Sequence, residues 1–313
     1  MSVYTSVERH ELETFLTAYD LGTLVDFEGI SEGISNTNYF VTTSRGAYVL
    51  TLFELIGCDD VPYYLDLMAY LAERGVPSAH PLADRDGRYM RVLKERPAAL
   101  VQKLGGRGIR GVPSPAQCME IGRALGQLHL AGAGFAQRRD NDRGPPWWQA
   151  AAARVLPLLG ATDAALLRDE LDHQAAHPRA LLPQGVVHAD LFRDNALFDG
   201  ERLTGLIDFY YACTDAYAYD VAVTLNDWCS QPDGRLDHAR AEPLLAAYQA
   251  VRPFTPSERD GWSTVLRGAA LRFWLSRLVD QLFPMAGELT YIKDPDEFKR
   301  ILLAHRAEPW PLA

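Results

Sequence analysis

Hydrophobic positions in the first hundred residues follow helical spacing in two stretches and strand spacing in five. Helical spacing covers 7–19, through Leu12, Phe15, Leu16 and Tyr19, and a second helix starts at Val61 and ends before Gly75. Strand patterns cover 24–30, 38–43, 47–53, 87–93 and 98–104. Because the connection Ser44-Arg45-Gly46 is too short for a crossover, these strands are expected to form an antiparallel sheet.

Beyond residue 104 the pattern becomes mainly helical, after a glycine-rich composition shift at 105–111. Helices are predicted over 114–129, 147–159, 163–176, 221–229, 239–250 and 257–282. We therefore predict an α+β fold with two lobes, 1–104 and 114–313, joined by a hinge at 105–113. A length of 313 residues is enough for each lobe to have its own core.

One apolar strand in the second lobe leads directly into a polar loop, which is where chemistry usually lies. Val186 and Val187 precede His188 and Asp190, and Asn195 follows five positions after that aspartate. His188 is expected to brace the loop through hydrogen bonds, whereas Asp190 is suited to orient a substrate hydroxyl and accept its proton.

A short hairpin after this loop is expected to bring a third acceptor group to the same place. Its strands cover 196–198 and 203–207, joined by a turn at 199–201, and Asp208 follows directly. Asn195 and Asp208 then offer oxygen ligands of the kind that Mg²⁺ takes together with waters and phosphates. Such a set predicts phosphoryl transfer.

The run H-x-D-x-x-x-x-N at 188–195, followed by I-D-F at 207–209, resembles the small-molecule kinases of the aminoglycoside phosphotransferase and choline kinase superfamily. That resemblance implies a protein-kinase-like fold, with ATP and Mg²⁺ as cofactors. Further similar segments at 33–41, 48–54, 225–229 and 271–278 are closest to the bacterial homoserine kinases within it. L-Homoserine is therefore the expected small-molecule substrate.

The nucleotide is expected to bind mainly to the first lobe. The segment 31–37 is small and polar enough for backbone N–H groups to approach phosphates. The nucleotide contacts proposed on this basis are Ser31, Gly33, Ser35, Asn36, Asn38 and Thr51, with Gln102 and Leu104 near the adenine. Thr51 stands where the resemblance places a lysine, so the phosphates must find their positive charge elsewhere.

Charged residues of the second lobe are candidates for holding an amino acid. Arg272 is expected to bind the substrate carboxylate and Asp227 the ammonium group, with Arg193 as an alternative clamp for carboxylate or phosphate. His129 lies on the apolar side of its helix and is expected to be a core histidine with its hydrogen bonds satisfied.

Two other functions fit the same motifs. The acceptor could be another small hydroxylated amine, such as an aminoglycoside, choline or a methylthioribose-like sugar. The absence of lysine at position 51 also fits a nucleotide-binding pseudokinase, although Asp190, Asn195 and Asp208 are all present. Tight ATP binding without turnover would distinguish the pseudokinase.

Charge and cysteine content narrow the partners further. The 31 basic and 41 acidic residues give a formal net charge of −10 and a pI near 5.3, which argues against nucleic acid and anionic membranes as partners. The four cysteines form no C-x-x-C pair, and no apolar run reaches the length of a membrane span. A cytoplasmic protein is expected, and the sequence leaves its oligomeric state open.

Overall fold

A computed structural model of the chain describes residues 5–30, 36–284 and 293–312. The chain divides into two compact units, Met1–Gly105 and Gly106–Ala313. Mixed α and β structure in the first unit and mainly helical structure in the second confirm the predicted α+β class. None of the helices in the described ranges has the length and apolar character of a membrane span. All four cysteines are free thiols.

The first unit contains an antiparallel sheet whose described strands run in the order β1-β2-β3-β5-β4. The strands are β1 (Leu24–Gly29), β2 (Asn36–Thr43), β3 (Gly46–Phe53), β4 (Met90–Leu93) and β5 (Arg96–Gln102), and the helices are α1 (Arg9–Leu16) and α2 (Val61–Ala72). Alternate residues of β2 point inward, among them Tyr39 and Val41, and pack with Leu12 and Leu16 of α1. This core fixes the register of the sheet.

The second unit is built from helices and two small antiparallel sheets. Its helices are α3 (Pro115–Gly132), α4 (Pro145–Val155), α5 (Ala161–Ala176), α6 (Tyr217–Cys229), α7 (His238–Val251), α8 (Pro256–Leu282) and α9 (Pro295–Ala307). Its strands are β6 (Gln184–Val187), β7 (Ala196–Asp199), β8 (Arg202–Leu206) and β9 (Cys213–Ala216). The pairs are β6 with β9 and β7 with β8. Every residue of α6 is buried, so this helix forms the centre of the unit.

Close packing of α3 against α7 depends on a glycine. A Cβ atom at Gly122 would lie 2.1 Å from the carbonyl oxygen of Leu244, nearer than any side chain can approach. The contact brings Tyr248 of α7 next to His129 of α3, where the Nδ1 of His129 lies 2.8 Å from the Tyr248 hydroxyl. His129 is buried and has both ring nitrogens hydrogen-bonded, as predicted.

Most predicted elements are present, and the differences lie at short or terminal segments. Strand β2 begins at Asn36, two residues earlier than predicted, because Asn36 and Thr37 pair with Phe53 and Leu52 of β3. Strand β9 and helix α9 were not predicted. Residues 106–109 of the predicted hinge lie in the second unit, where the backbones of Arg107 and Phe198 exchange hydrogen bonds of 3.0 and 2.9 Å. The lobe and hinge boundaries stay a prediction.

Candidate active site

The polar loop that follows β6 is held in place by one buried carboxylate. Asp220 of α6 accepts hydrogen bonds from the backbone N–H groups of His188 and Ala189, both at 2.7 Å, and from the Nε2 of His129 at 3.0 Å. Ala189 has a φ of 62°, a conformation that costs a non-glycine residue free energy. The hydrogen bonds to Asp220 compensate for this strain and set the direction in which the loop leaves the strand.

The side chain of His188 connects the loop to the hairpin strand β8. Its Nε2 donates to the carbonyl oxygen of Ile207 at 3.0 Å, and its ring packs on Phe209 with 4.6 Å between centroids. Burial lowers the pKa of His188, so the ring is neutral at pH 7. These contacts bear out the predicted bracing role.

The hairpin brings the chain just before Asp208 next to Asn195. The backbone N–H of Ile207 donates to the carbonyl oxygen of Asn195 at 3.0 Å, which places Asp208, the next residue, beside Asn195. Asp208 itself has φ 62° and ψ 56°, a left-handed conformation that redirects the chain after β8. The Nδ2 of Asn195 donates to the carbonyl oxygen of Asp190 at 2.8 Å and to its Oδ2 at 3.3 Å.

Asp190 is largely buried, and its side chain keeps 18% of its accessible surface. Burial raises the pKa of Asp190 to about 7, and the nearby charges of Asp208 and Asp194 act in the same direction. Arg272 opposes this shift, with its Nη1 3.4 Å from the Oδ1 of Asp190. A carboxylate whose pKa lies near neutrality is suited to accept a proton from a hydroxyl group.

Asp208 differs from Asp190 in remaining exposed at its side chain. Protein atoms nevertheless surround its carboxyl group closely. This burial is the main cause that raises the pKa of Asp208 to about 6, and the negative charge of Asp194 adds to the rise. Two carboxylates with raised pKa values on adjacent segments form a site where a positive charge is favourable.

The donors present fit Mg²⁺. Asn195 and Asp208 supply an amide and a carboxylate oxygen, and the bonds from the Asn195 Nδ2 to Asp190 turn its Oδ1 toward other partners. Mg²⁺ typically takes one or two protein carboxylates and completes its shell with water and phosphate. The described residues contain no group of three or more His, Cys, Asp or Glu side chains that could enclose a metal ion.

Two residues predicted to bind substrate are hydrogen-bonded to each other, and their predicted role in substrate binding stays a prediction. Arg193 donates to Asp227 from its Nε at 3.0 Å, its Nη2 at 3.2 Å and its backbone N–H at 2.8 Å. Asp227 is buried, so this pair anchors the loop to α6. Arg272 is the third predicted substrate residue; it is 4% exposed, and its Nε has no hydrogen-bond partner among the described residues.

Three of the predicted nucleotide contacts, Ser31, Gly33 and Ser35, lie outside the described residues. Asn36 and Asn38 lie in β2, and the Thr51 hydroxyl, in β3, donates to the Oδ1 of Asn38 at 2.7 Å.

Near the predicted adenine contacts, the backbone N–H of Gln102 is already used by the carbonyl oxygen of His80, at 2.9 Å. Leu104, two residues later, is half-buried beyond the end of β5. The roles of all these nucleotide residues stay predictions.

Sequence reasoning gave too little weight to two residues of the second unit. Asp220 holds the loop through hydrogen bonds from two of its backbone N–H groups. Lys293 was not considered; its Nζ lies 3.3 Å from the Oδ2 of Asp194. The sequence does contain a signal for Asp220, which is an acidic residue at the start of an apolar helix. No local pattern marks Lys293.

Comparison with known proteins gives consistent results at the level of family and of individual relatives. The profile of the phosphotransferase enzyme family matches residues 26–254. Homoserine kinase from Methylobacillus flagellatus is 50% identical over 302 residues, covering 96% of this chain and 94% of that protein. Homoserine kinase from Neisseria meningitidis serogroup B is 45% identical, covering 97% and 99%.

Among solved structures, an amicoumacin kinase superposes with a TM-score of 0.71, covering 96% of this chain and 92% of that one at 15% identity. Identity at this level carries information about the fold only, and that fold agrees with the two units described above. Because the family profile covers most of the chain and the relatives match it nearly end to end, the chain belongs to the phosphotransferase enzyme family.

Proposed function

We propose that this chain is a homoserine kinase, an enzyme of threonine biosynthesis that transfers the γ-phosphoryl group of ATP to the hydroxyl of L-homoserine. The observation that carries the reaction type is the arrangement of Asp190, Asn195 and Asp208 around one braced loop. The choice of acceptor rests on the relatives, which are named homoserine kinases and match nearly the whole chain.

Asp190 is the proposed proton acceptor. Its raised pKa gives it the affinity to take the proton of the attacking hydroxyl as the new O–P bond forms. The Asn195 side chain orients this carboxylate through its Nδ2, and Asp220 fixes the backbone that carries it. In phosphoryl transfer the positioning of the two reactants contributes more than the strength of the base.

Asn195 and Asp208 are the proposed ligands of Mg²⁺, which, when bound, neutralises phosphate charge and holds the phosphates in a fixed orientation. The protein contributes the direction of the two oxygen donors. Asp208 gains from this arrangement, because a nearby cation removes the cost of ionising a carboxyl group that burial otherwise disfavours.

The first unit is the proposed nucleotide-binding unit. The segment 31–35 with Asn36 and Asn38 is proposed to contact the phosphates through backbone N–H and side-chain amide groups. The Leu104 backbone is proposed to contact the adenine. Thr51 and Gln102 are the weaker members of this set, because the Thr51 hydroxyl and the Gln102 backbone N–H already have partners inside the unit.

Arg272 is the proposed contact for the carboxylate of homoserine. Its buried Nε without a partner is a donor whose hydrogen bond a substrate oxygen would complete. The centroid of the Tyr211 ring lies 5.1 Å from the Arg272 guanidinium carbon, within the range of a cation–π interaction. Arg193 and Asp227, which neutralise each other, are proposed to position the loop rather than to bind substrate.

The proposal is tested by measuring steady-state ADP release from Mg·ATP with L-homoserine as acceptor, using L-serine, choline and kanamycin as alternatives. We expect a homoserine-dependent rate that falls by about 10²–10⁴ in Asp190→Asn, the usual range for a general base. A rate with another acceptor alone would keep the reaction and replace the substrate. Tight ATP binding with no turnover on any acceptor would overturn the proposal in favour of a pseudokinase.

A further inference from the structure

We propose that Lys293 is a catalytic residue of this site, whose ammonium group contacts the phosphoryl group during transfer and supplies positive charge that position 51 lacks. The inference rests on the proposed kinase function and adds a residue to it. Lys293 lies two residues before the start of α9, far along the chain from the polar loop.

The catalytic loop has a shortage of positive charge. The negative charges of Asp194 and Asp208 lie close enough to Asp190 to raise its pKa, and ATP would bring several more negative oxygens to the same place. Kinases of this general fold usually supply this positive charge with a lysine on the third strand. In this chain Thr51 occupies the position and its hydroxyl is bonded to Asn38.

The structure places two cations against the acidic side chains of the loop, within the part of the chain that it describes. Arg272 is buried and its Nη1 lies 3.4 Å from Asp190, where it can bind the homoserine substrate. Lys293 lies on Asp194, the residue directly before Asn195, with an Nζ–Oδ2 distance of 3.3 Å.

The backbone of Lys293 is fixed beside the loop, and its Nζ also lies 5.5 Å from the centroid of the Phe192 ring. Phe298 of α9 is fully buried and stacks on Phe192 of the loop at 5.8 Å and on Phe273 of α8 at 5.0 Å. Arg277 of α8 donates to the carbonyl oxygen of Asp294 at 2.7 Å. These contacts hold the start of α9 on the loop and so deliver the lysine to it.

A purely structural role explains this lysine poorly. The Lys293 and Asp194 side chains are 38% and 64% exposed, and ion pairs with that exposure contribute about 0–1 kcal/mol. The aromatic contacts, not the ion pair, attach α9 to the loop. Because the pair is weak, the ammonium group can leave Asp194 for a phosphate, whose charge is higher.

The test compares Lys293→Met with Asp194→Asn, which removes the same ion pair but keeps the lysine. We expect Lys293→Met to lower kcat by about a hundredfold, the effect of removing one transition-state donor, with the KM for homoserine within about threefold. Asp194→Asn is expected to lower kcat much less than Lys293→Met, because the lysine stays available for the phosphate although one charge that raises the pKa of Asp190 is removed. Melting temperatures of both variants should stay close to that of the wild type.

Charge restoration separates catalysis from structure. Lys293→Arg is expected to retain more activity than Lys293→Met, and aminoethylation of Lys293→Cys should restore most of the kcat. Wild-type protein treated in parallel controls for modification of the exposed Cys58.

Equal losses in Lys293→Met and Asp194→Asn, or a kcat of Lys293→Met within threefold of the wild type, would overturn the inference. A wild-type protein without any kinase rate would instead refute the proposed function. The two failures are therefore distinguishable.

Discussion

At the scale of single residues, the raised pKa of Asp190 suits catalysis but lowers the stability of the folded protein at neutral pH. Its pKa is about 7 in the folded protein, whereas a carboxyl group in an unfolded chain has a pKa of about 4. A group with a higher folded pKa stabilises the protein most at pH values below its unfolded pKa. That contribution is lost as the pH rises through the folded pKa.

Asp190→Asn should therefore raise the stability of the protein while removing its activity. Above pH 7 we expect the free energy of unfolding to increase by about 1–4 kcal/mol, offset in part because Arg272 loses its partner. The gain should shrink toward pH 4, where the wild-type side chain is neutral in both states. Urea denaturation at several pH values, without nucleotide or metal, measures this.

The control for this prediction is Asp260→Asn, which changes an exposed aspartate on α8 in the same way. Its stability should follow that of the wild type at every pH. A variant at position 190 that is less stable than the wild type at pH 8 would contradict the predicted cost of the buried charge.

Thr51 is a predicted nucleotide contact whose hydroxyl already has a hydrogen-bond partner inside its own unit. The hydroxyl is buried and donates to Asn38, so Thr51→Val should lower the free energy of unfolding by about 1 kcal/mol. The KM for ATP should stay within about threefold, since no contact with phosphate is lost. Steady-state kinetics and thermal melts measure the two effects.

Thr42→Val, on an exposed position of β2, provides a matched change in the same sheet. A tenfold rise in the KM for ATP that is specific to position 51 would show that its hydroxyl does reach the nucleotide, as the sequence suggested.

At the scale of elements, the sequence predicted the sheet, most helices and the hairpin because their patterns are long or bounded by clear turns. Strand β9 covers only Cys213–Ala216 and is too short to show a period, so only its pairing with β6 reveals it. Helix α9 does carry a signal: Phe298, Ile301, Leu302 and His305 recur at helical spacing and are buried. The pattern of this segment therefore indicates a helix, which the sequence analysis did not predict.

Asp220 is a single side chain that fixes the position of the proposed catalytic loop. Asp220→Asn keeps the shape but directs an amide group at the N–H donors of the loop, leaving at least one of them without a partner. We expect a loss of about 1–3 kcal/mol in stability and a fall in kcat of tenfold or more. Thermal melts and homoserine-dependent rates measure both.

Asp215→Asn is the matched control, because Asp215 is also buried but accepts its hydrogen bonds from Arg179, at 2.9 and 2.7 Å. It should lose stability and retain a kcat within about threefold. If both variants lose kcat in proportion to stability, Asp220 has no specific role in the loop.

At the scale of the whole molecule, the sequence indicated the reaction type far better than the binding partners of its charges. The motif at 188–195 and Asp208 are close in sequence, and local geometry is enough to bring them together. The pair Arg193–Asp227 and the contact Lys293–Asp194 join residues far apart in the chain. Which charges meet depends on the packing of α6, α8 and α9, which no local pattern contains.

The buried Asp220 also has a consequence for hydrogen exchange. The amide protons of His188 and Ala189 lie outside any regular element, where amides normally exchange through small local openings. Here an opening must detach the loop from a carboxylate that is also bonded to α3. These two amides should therefore exchange as slowly as those of α6, and fast exchange in a deuterium-labelling experiment would show that the loop moves independently of the core.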